Sequence, residues 1–256
     1  MLDFTIKTLL ELYTSFSQNG YKIINVSDFL QKKFNGKVCI LRHDIDGKIK
    51  NALRLAYIEK KINISASYYF RYPNTYDKNT IKNIYDLGHE IGYHYEVLTK
   101  AKGNYDAAMK IFNKELEEFR KTVPIKTICA HGSPLSKWDN KKLWEKYDFQ
   151  KMNINTDANL SFDFNDILYL TDTGRSWNKL AGNIKDRVKS NFDFRLNGTK
   201  DVILALESGK LPDKIMLNTH PQRWTGNLLE WIIELVAQNF KNLIKLMLIK
   251  IRRNNG

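Results

Sequence analysis

Apolar side chains recur at Ile6, Leu9, Leu10, Leu12, Tyr13 and Phe16, the spacing of one helix face, and Gly20 supplies a stop. This predicts a helix over 5–19. A second short helix is expected from Val26 to Phe34, with Ser27 as its cap. Val38-Cys39-Ile40-Leu41 is a continuous apolar run of the kind a buried strand carries. The same reading gives a helix over 52–60, a strand over 64–70, a helix over 77–87 ended by Gly88, and a strand over 90–95. A long amphipathic helix follows over 105–121, then a strand over 125–130 and a helix over 141–146. Strand-like pieces lie near 149–154 and 167–171, a helix over 202–208 and a last strand over 214–218. Strands and helices alternate with short connections, the signature of parallel βαβ units. The expected fold is α/β: a distorted or incomplete (β/α) barrel of about seven parallel strands. An open doubly wound sheet shares this pattern. Residues 156–165 and 174–200 are polar and weakly patterned, as long loops are.

The segment 227–253 is amphipathic, with Leu228, Trp231, Ile232, Leu235, Leu243 and Leu246 among its apolar positions. Glu230, Glu234, Lys241 and Lys245 interrupt it, so it does not read as a transmembrane span. It ends in Lys250, Arg252 and Arg253, so contact with an anionic membrane surface is one use for it and packing on the barrel the other. The expected organisation is one barrel domain over 1–256 that carries this helix.

Charge narrows the partners. Among 256 residues, 41 basic and 28 acidic side chains leave a formal +13, which favours anionic ligands. The charge is dispersed, without zinc-finger spacing, an RNA-binding aromatic motif or a basic helix with heptads, so nucleic acid is not expected. Cys39 and Cys129 each sit inside an apolar run and read as buried thiols in a reducing compartment. The first residues show no basic region followed by an uninterrupted apolar stretch. The expected location is cytoplasmic, with peripheral contact at the inner membrane face.

The five histidines lie in short polar segments that interrupt or end apolar runs: His43, His89, His94, His131 and His220. Strand ends are where α/β proteins build their sites, and histidine is both the commonest metal ligand and the most easily tuned acid or base. Arg42-His43-Asp44-Ile45-Asp46 follows the first strong strand, and in extended backbone Asp44 and Asp46 share a face. Two such carboxylates can divide labour, one binding a cation and the other activating water, with Arg42 orienting or neutralising one of them. His89 and His94 are five apart and point to opposite faces, so only His94 reads as a ligand and His89 as structural. His43 is expected to support the adjacent Asp pair. Gly132 and Pro134 shape the loop that His131 opens.

The order Arg-His-Asp-Ile-Asp, Gly-His-Glu-Ile-Gly-Tyr-His, His-Gly-Ser-Pro, Thr-Asp-Thr-Gly-Arg-Ser-Trp and Leu-Asn-Thr-His resembles the polysaccharide deacetylase superfamily. This is carbohydrate esterase family 4, the NodB-homology domain. The likeness runs from about residue 38 to about 224. It implies a distorted (β/α) barrel with a divalent metal, often zinc, that removes N- or O-acetyl groups from sugars. By this resemblance Asp44 is the base, Asp46 and His94 are metal ligands, and His220 is the general acid. The family's second metal histidine would fall at Leu98. His131 is then the candidate third ligand, with Glu96 a weaker one, and Arg175 a substitute for an arginine that usually stands near the base. Asp172 and Trp177 fall in the family's Asp- and Trp-containing loop. Tyr69, Arg71, Trp138, Trp177 and Trp224 are candidates for a sugar-facing surface, with core packing as the alternative. The substrate implied is an acetylated sugar in surface-polysaccharide or glycolipid biosynthesis, and the positive charge suits a nucleotide- or lipid-diphosphate-linked one. Leu98 also admits a degenerate barrel that binds a glycan or partner without catalysis. Metal-independent C–N hydrolysis on the same barrel is a third reading.

Overall fold

The computed structural model describes residues 2–31, 34–133, 136–177 and 188–254. The chain opens with α1 (Ile6–Gln18), whose first turn is capped by Thr5, its side chain accepting from the Thr8 N–H. Leu9, Leu12, Tyr13 and Phe16 bury its apolar face. Then come β1 (Lys22–Ile24), α2 (Val26–Gln31), β2 (Val38–Ile45), α3 (Ile49–Lys61) and β3 (Ser67–Phe70). α4 (Lys78–Asp86) starts on an Asp77 cap and leads to β4 (Glu90–Tyr95) and the single turn α5 (Val97–Lys100). α6 (Tyr105–Arg120) is capped by Asn104 and leads to β5 (Thr127–Ala130). Two 3₁₀ turns, Asn140–Glu145 and Phe149–Met152, precede β6 (Thr156–Asp157) and β7 (Leu168–Thr171). α7 (Thr199–Glu207), β8 (Lys214–Thr219), a 3₁₀ turn at Pro221–Arg223 and α8 (Leu228–Asn254) complete the chain.

All strand pairs are parallel, in the order β6-β5-β4-β3-β2-β8-β7. β1 pairs with residues 38–40 of β2, below the stretch 42–45 that pairs with β3. The sheet curls. Arg42 of β2 donates to the Ala158 carbonyl just past β6 (3.2 Å) and to the Tyr169 hydroxyl on β7 (3.5 Å). One side chain thus spans from the middle of the sheet to both of its edges. No ladder joins β6 to β7 among the described residues. The result is the expected barrel, left open between those two strands.

Alternation along the strands separates two cores. Ile40, Tyr69, Cys129, Ala158, Tyr169 and Met216 fill the interior with Phe162, Phe164 and Ile167. Leu41, Tyr68, Phe70, Tyr93, Ile128 and Leu217 point outward, under Leu9, Leu55, Phe112 and Phe119 of the helices. Gly92 of β4 stands opposite Tyr69 of β3. A Cβ there would lie 2.3 Å from the Tyr69 ring. The Gly92→Ala protein is therefore expected to lose about 1–3 kcal/mol of stability by overpacking, measured by urea denaturation.

Three expectations change. The piece at 149–154 is a 3₁₀ turn rather than a strand, and the strand follows at Thr156–Asp157, inside a stretch read as loop. β1 was not expected. β2 continues four residues beyond Leu41, so Arg42, His43, Asp44 and Ile45 are strand residues. Pro134 lies outside the described residues.

Candidate active site

The extension of β2 decides which groups meet. Along an extended strand, Arg42 and Asp44 point into the barrel, and Asp46 just past the strand comes to the same mouth. His43 points the other way. It is fully buried against α3, its Nε2 2.9 Å from Glu59 and its Nδ1 2.7 Å from the Thr219 hydroxyl. The expectation that His43 supports the Asp pair is therefore corrected: strand alternation puts it on the opposite face. His89 lies on that face too, 3.0 Å from the Ala56 carbonyl, in keeping with a structural role.

At the mouth, β4 contributes His94, the first residue after β5 contributes His131, and the end of β8 contributes His220. Asp46 lies among them. Its Oδ1 is 3.7 Å from His94 Nε2 and 3.6 Å from His131 Nε2, and its Oδ2 is 3.8 Å from His220 Nε2. Each imidazole is oriented through its other nitrogen. His94 Nδ1–H donates to the Cys129 carbonyl (3.0 Å). His131 Nδ1 is 2.9 Å from Glu96, whose carboxylate accepts both 2.8 Å bonds from Arg71. His220 Nδ1 is 2.6 Å from Asp172. A carboxylate or carbonyl accepts only, so the proton is held at Nδ1 and Nε2 is turned toward Asp46.

The donor set Asp46, His94 and His131 fits a divalent cation. Its ligand atoms lie within 4.8 Å of one another. Bonds of about 2.0–2.1 Å to tetrahedral zinc set ligand atoms about 3.4 Å apart, close to the spacing seen. Asp46 Oδ1 is buried and has no hydrogen-bond partner, which is costly unless something else satisfies it. Asp44, His94 and Cys129 form a second close group. There the Cys129 thiol is 3.0 Å from the Asn159 side-chain oxygen, and Asp44 is engaged by Arg42 and Asn218. The first group has the open carboxylate oxygen and is the better fit.

Leu98, where the resemblance called for a second histidine, is buried in the outer core on α5. It offers nothing to the mouth. His131 arrives from the neighbouring strand instead, its backbone N–H bonded to the Tyr95 carbonyl (2.8 Å) and Asn140 donating to its own carbonyl. Glu96 orients His131 rather than facing Asp46.

Electrostatics separates the groups. Burial pushes the Asp44 carboxyl up, but Arg42 first and then His94 and His220 hold it below its ordinary value. Burial opposes charge on Asp46 as well, and His131, His220, His94 and Arg71 outweigh it, so Asp46 stays ionised far into acid. His94 is lowered to about 4, chiefly by burial, and is neutral near pH 7, as a ligand must be. His220 goes the other way. Burial and Arg223 disfavour its charge, but the charge and hydrogen bond of Asp172, with Asp46, raise it above the ordinary histidine value. Asp172 itself is held at about 2 against burial by Arg223 and His220. It accepts from Arg223 Nη1 (2.6 Å), Trp224 Nε1 (2.6 Å) and the His220 backbone N–H (3.0 Å). The mouth thus holds a neutral imidazole and one that favours its charged form.

Several candidates for sugar contact are core residues. Tyr69 is fully buried inside the barrel, with its hydroxyl on Thr127. Trp177 is buried, stacked on Phe4 and bonded to Thr199. Trp224 is buried and serves Asp172. Large aromatic rings gain more from burial than a strand-end position can outweigh. Arg71 does reach the rim, where it grips Glu96 and lies 3.8 Å from Asp46. The Arg175 guanidinium packs over Phe4 and Trp231 and donates to the Arg223 carbonyl. The arginine beside Asp44 is Arg42 (3.0 Å), which corrects the role expected of Arg175. Asn218 and Arg223 were not expected. Asn218 had a signal, because it shares the inward face with His220 two residues on.

No protein-family model matches this sequence, and no curated protein matches it. Solved structures similar to the chain include the catalytic domain of a peptidoglycan N-acetylglucosamine deacetylase from Eubacterium rectale. That likeness has 13% identity and a TM-score of 0.48, and covers 82% of this chain and 87% of that one. A family 4 carbohydrate esterase from Bacillus anthracis matches at 13% identity and a TM-score of 0.42, over 89% of this chain and 84% of that one. A mutant CE4 family pseudoenzyme with restored enzymatic activity matches at 14% identity and a TM-score of 0.47, over 81% of this chain. The chain spans 64% of that pseudoenzyme's length.

Proposed function

We propose that the chain is a metal-dependent hydrolase that removes an acyl group, N- or O-linked, from a sugar. The observation that carries this reading is the open Asp46 Oδ1, with His94 Nε2 and His131 Nε2 at 3.7 and 3.6 Å and both rings locked from behind. The motif order from Arg42 to His220 supplies the reaction class. A divalent cation, for which this nitrogen and oxygen set suits zinc, polarises the acyl carbonyl and acidifies water when bound.

The remaining steps belong to the chain. Asp44, held below its ordinary value chiefly by Arg42 and hydrogen-bonded by Asn218, takes the proton from the attacking water. His220, whose charged form Asp172 favours, gives a proton to the leaving amine or alcohol. Arg71 and Glu96 keep His131 in register, and Arg71 offers a cation at the rim, 3.8 Å from Asp46, to an incoming sugar. The formal +13 supports a sugar carried on a nucleotide or lipid diphosphate, and the two buried free cysteines suit the reducing cytoplasmic side.

The test is ion content together with acetate release from N-acetylated glucosamine oligomers. The native protein is expected to bind about one divalent ion. Asp46→Ala and His131→Ala are each expected to lose that ion and the acetate release. If the native protein neither retains nor rebinds an ion, the metalloenzyme reading fails. Acetate release that persists without the ion then indicates metal-independent hydrolysis, and its absence a binding module, the reading that Leu98 favours.

A further inference from the structure

Surface helices normally turn their apolar face to the core. α8 does the reverse over residues 228–243. Its barrel side is largely polar: Glu234 is buried and ion-paired with Lys48 (2.9 Å), Gln238 is buried, Asn242 donates to the Gly174 carbonyl (3.0 Å), and Trp231 donates to the Asp3 carbonyl under Arg175. Its apolar side faces solvent. Leu229, Ile233, Val236, Phe240 and Leu243 follow one another at four- and three-residue steps and are all exposed, Phe240 by 64%. A ridge of this kind is not a chance feature of a soluble surface.

From the ridge and the charge beside it, we infer that α8 docks this protein flat on an anionic lipid bilayer. Two observations select that occupant. From Leu235 to the last residue the chain carries Lys241, Lys245, Lys250, Arg252 and Arg253 and no acidic residue. Repelling charges of one sign disfavour pairing with a second copy but favour acidic headgroups. The sequence after Leu243 is also apolar at nearly every position between those lysines, more than a two-helix seam could cover. The attachment is peripheral, because no helix among the described residues is long and apolar enough to cross a membrane. Lys48 and Gly174 lie two residues from Asp46 and Asp172. α8 is therefore fastened to the loops that carry the mouth, and docking holds the mouth near the bilayer.

Flotation of the full chain with vesicles tests this without reference to catalysis. The probes are phosphatidylcholine alone and phosphatidylcholine with 30% phosphatidylglycerol. The protein is expected to float with the second and not the first, and to be released by high salt. A triple variant, Ile233→Gln with Val236→Gln and Phe240→Gln, is expected to bind at least about tenfold more weakly. These side chains are 55%, 63% and 64% exposed, so the fold does not depend on them. Lys245→Gln with Lys250→Gln is expected to weaken binding about tenfold at low salt. Failure to float with anionic vesicles overturns the inference. So does a dimer, seen by light scattering, that the triple variant dissociates and that does not float.

Discussion

The His220→Asn protein is expected to lose about 10²–10⁴-fold in kcat/KM for the proposed deacetylation while keeping the divalent ion proposed for the mouth. The first half follows from chemistry: an amine leaves an acetamide poorly unless it is protonated. His220 is the imidazole at the mouth whose charged form is favoured, with Nδ1–H on Asp172 and Nε2 turned into the mouth, 3.8 Å from Asp46. The second half follows from geometry, since the donors proposed for the cation are Asp46, His94 and His131. An acetate ester of nitrophenol separates a catalytic acid from a structural part. Its leaving group needs no proton, so the variant is expected to cleave it nearly as well as the native protein. The pH profile gives a second reading. His220 titrates above the ordinary histidine value, so the native rate is expected to fall as pH rises through that higher value. Equal losses on amide and activated ester, or loss of the ion, would count against this role.

How far the site could be read beforehand follows from which contacts are local. Asp44 and Asp46 share a face because alternation is a property of the strand itself, visible in five residues. The same rule separates His89 from His94, and both placements agree with the structure. The same alternation turns His43 to the opposite face, which its place next to Asp44 in the sequence conceals, because the apolar run that marks the strand stops at Leu41. The strand continues because Arg42 has a barrel interior to enter and Asn218 waits across on β8. Neither partner is near in sequence. Tyr69, Trp177 and Trp224 carry the same difficulty: an aromatic at a strand end looks the same whether a helix covers it or not. Leu98 was legible as a departure from the motif and His131 as the candidate in its place; the structure adds that His131 reaches Asp46 from a neighbouring strand. For α8, helical spacing revealed the apolar stripe, while its outward direction depends on Glu234 and Asn242 finding partners on the barrel.

The other large effect is expected far from the mouth. Glu59 of α3 is fully buried and accepts from Tyr13 Oη (2.7 Å), Tyr68 Oη (2.7 Å) and His43 Nε2 (2.9 Å). The Thr219 hydroxyl closes the network on the far nitrogen of His43, so the cluster ties α1 and α3 to β2, β3 and β8. Glu59→Ala leaves three buried donors without an acceptor and opens a cavity. A loss of about 3–5 kcal/mol is expected, read from the urea midpoint. Tyr68→Phe removes one donor and leaves the carboxylate two, so a loss of about 1.5–3 kcal/mol is expected. Acid is expected to act on the same cluster. Burial raises Glu59, but His43, His89 and Tyr68 outweigh it and leave the folded pKa below the ordinary value. Below about pH 4.3 the unfolded chain takes up a proton that the folded one refuses. The stability Glu59 contributes is therefore complete above that pH and lost as pH falls toward the lower folded value. His89, lowered chiefly by burial, begins the decline earlier, below about pH 6.5. Because the cluster lies on the outer face of β2, the Tyr68→Phe protein is expected to keep native activity per folded molecule. A variant that lost activity but kept its urea midpoint would show that the two faces of β2 are coupled, against this separation of fold from site.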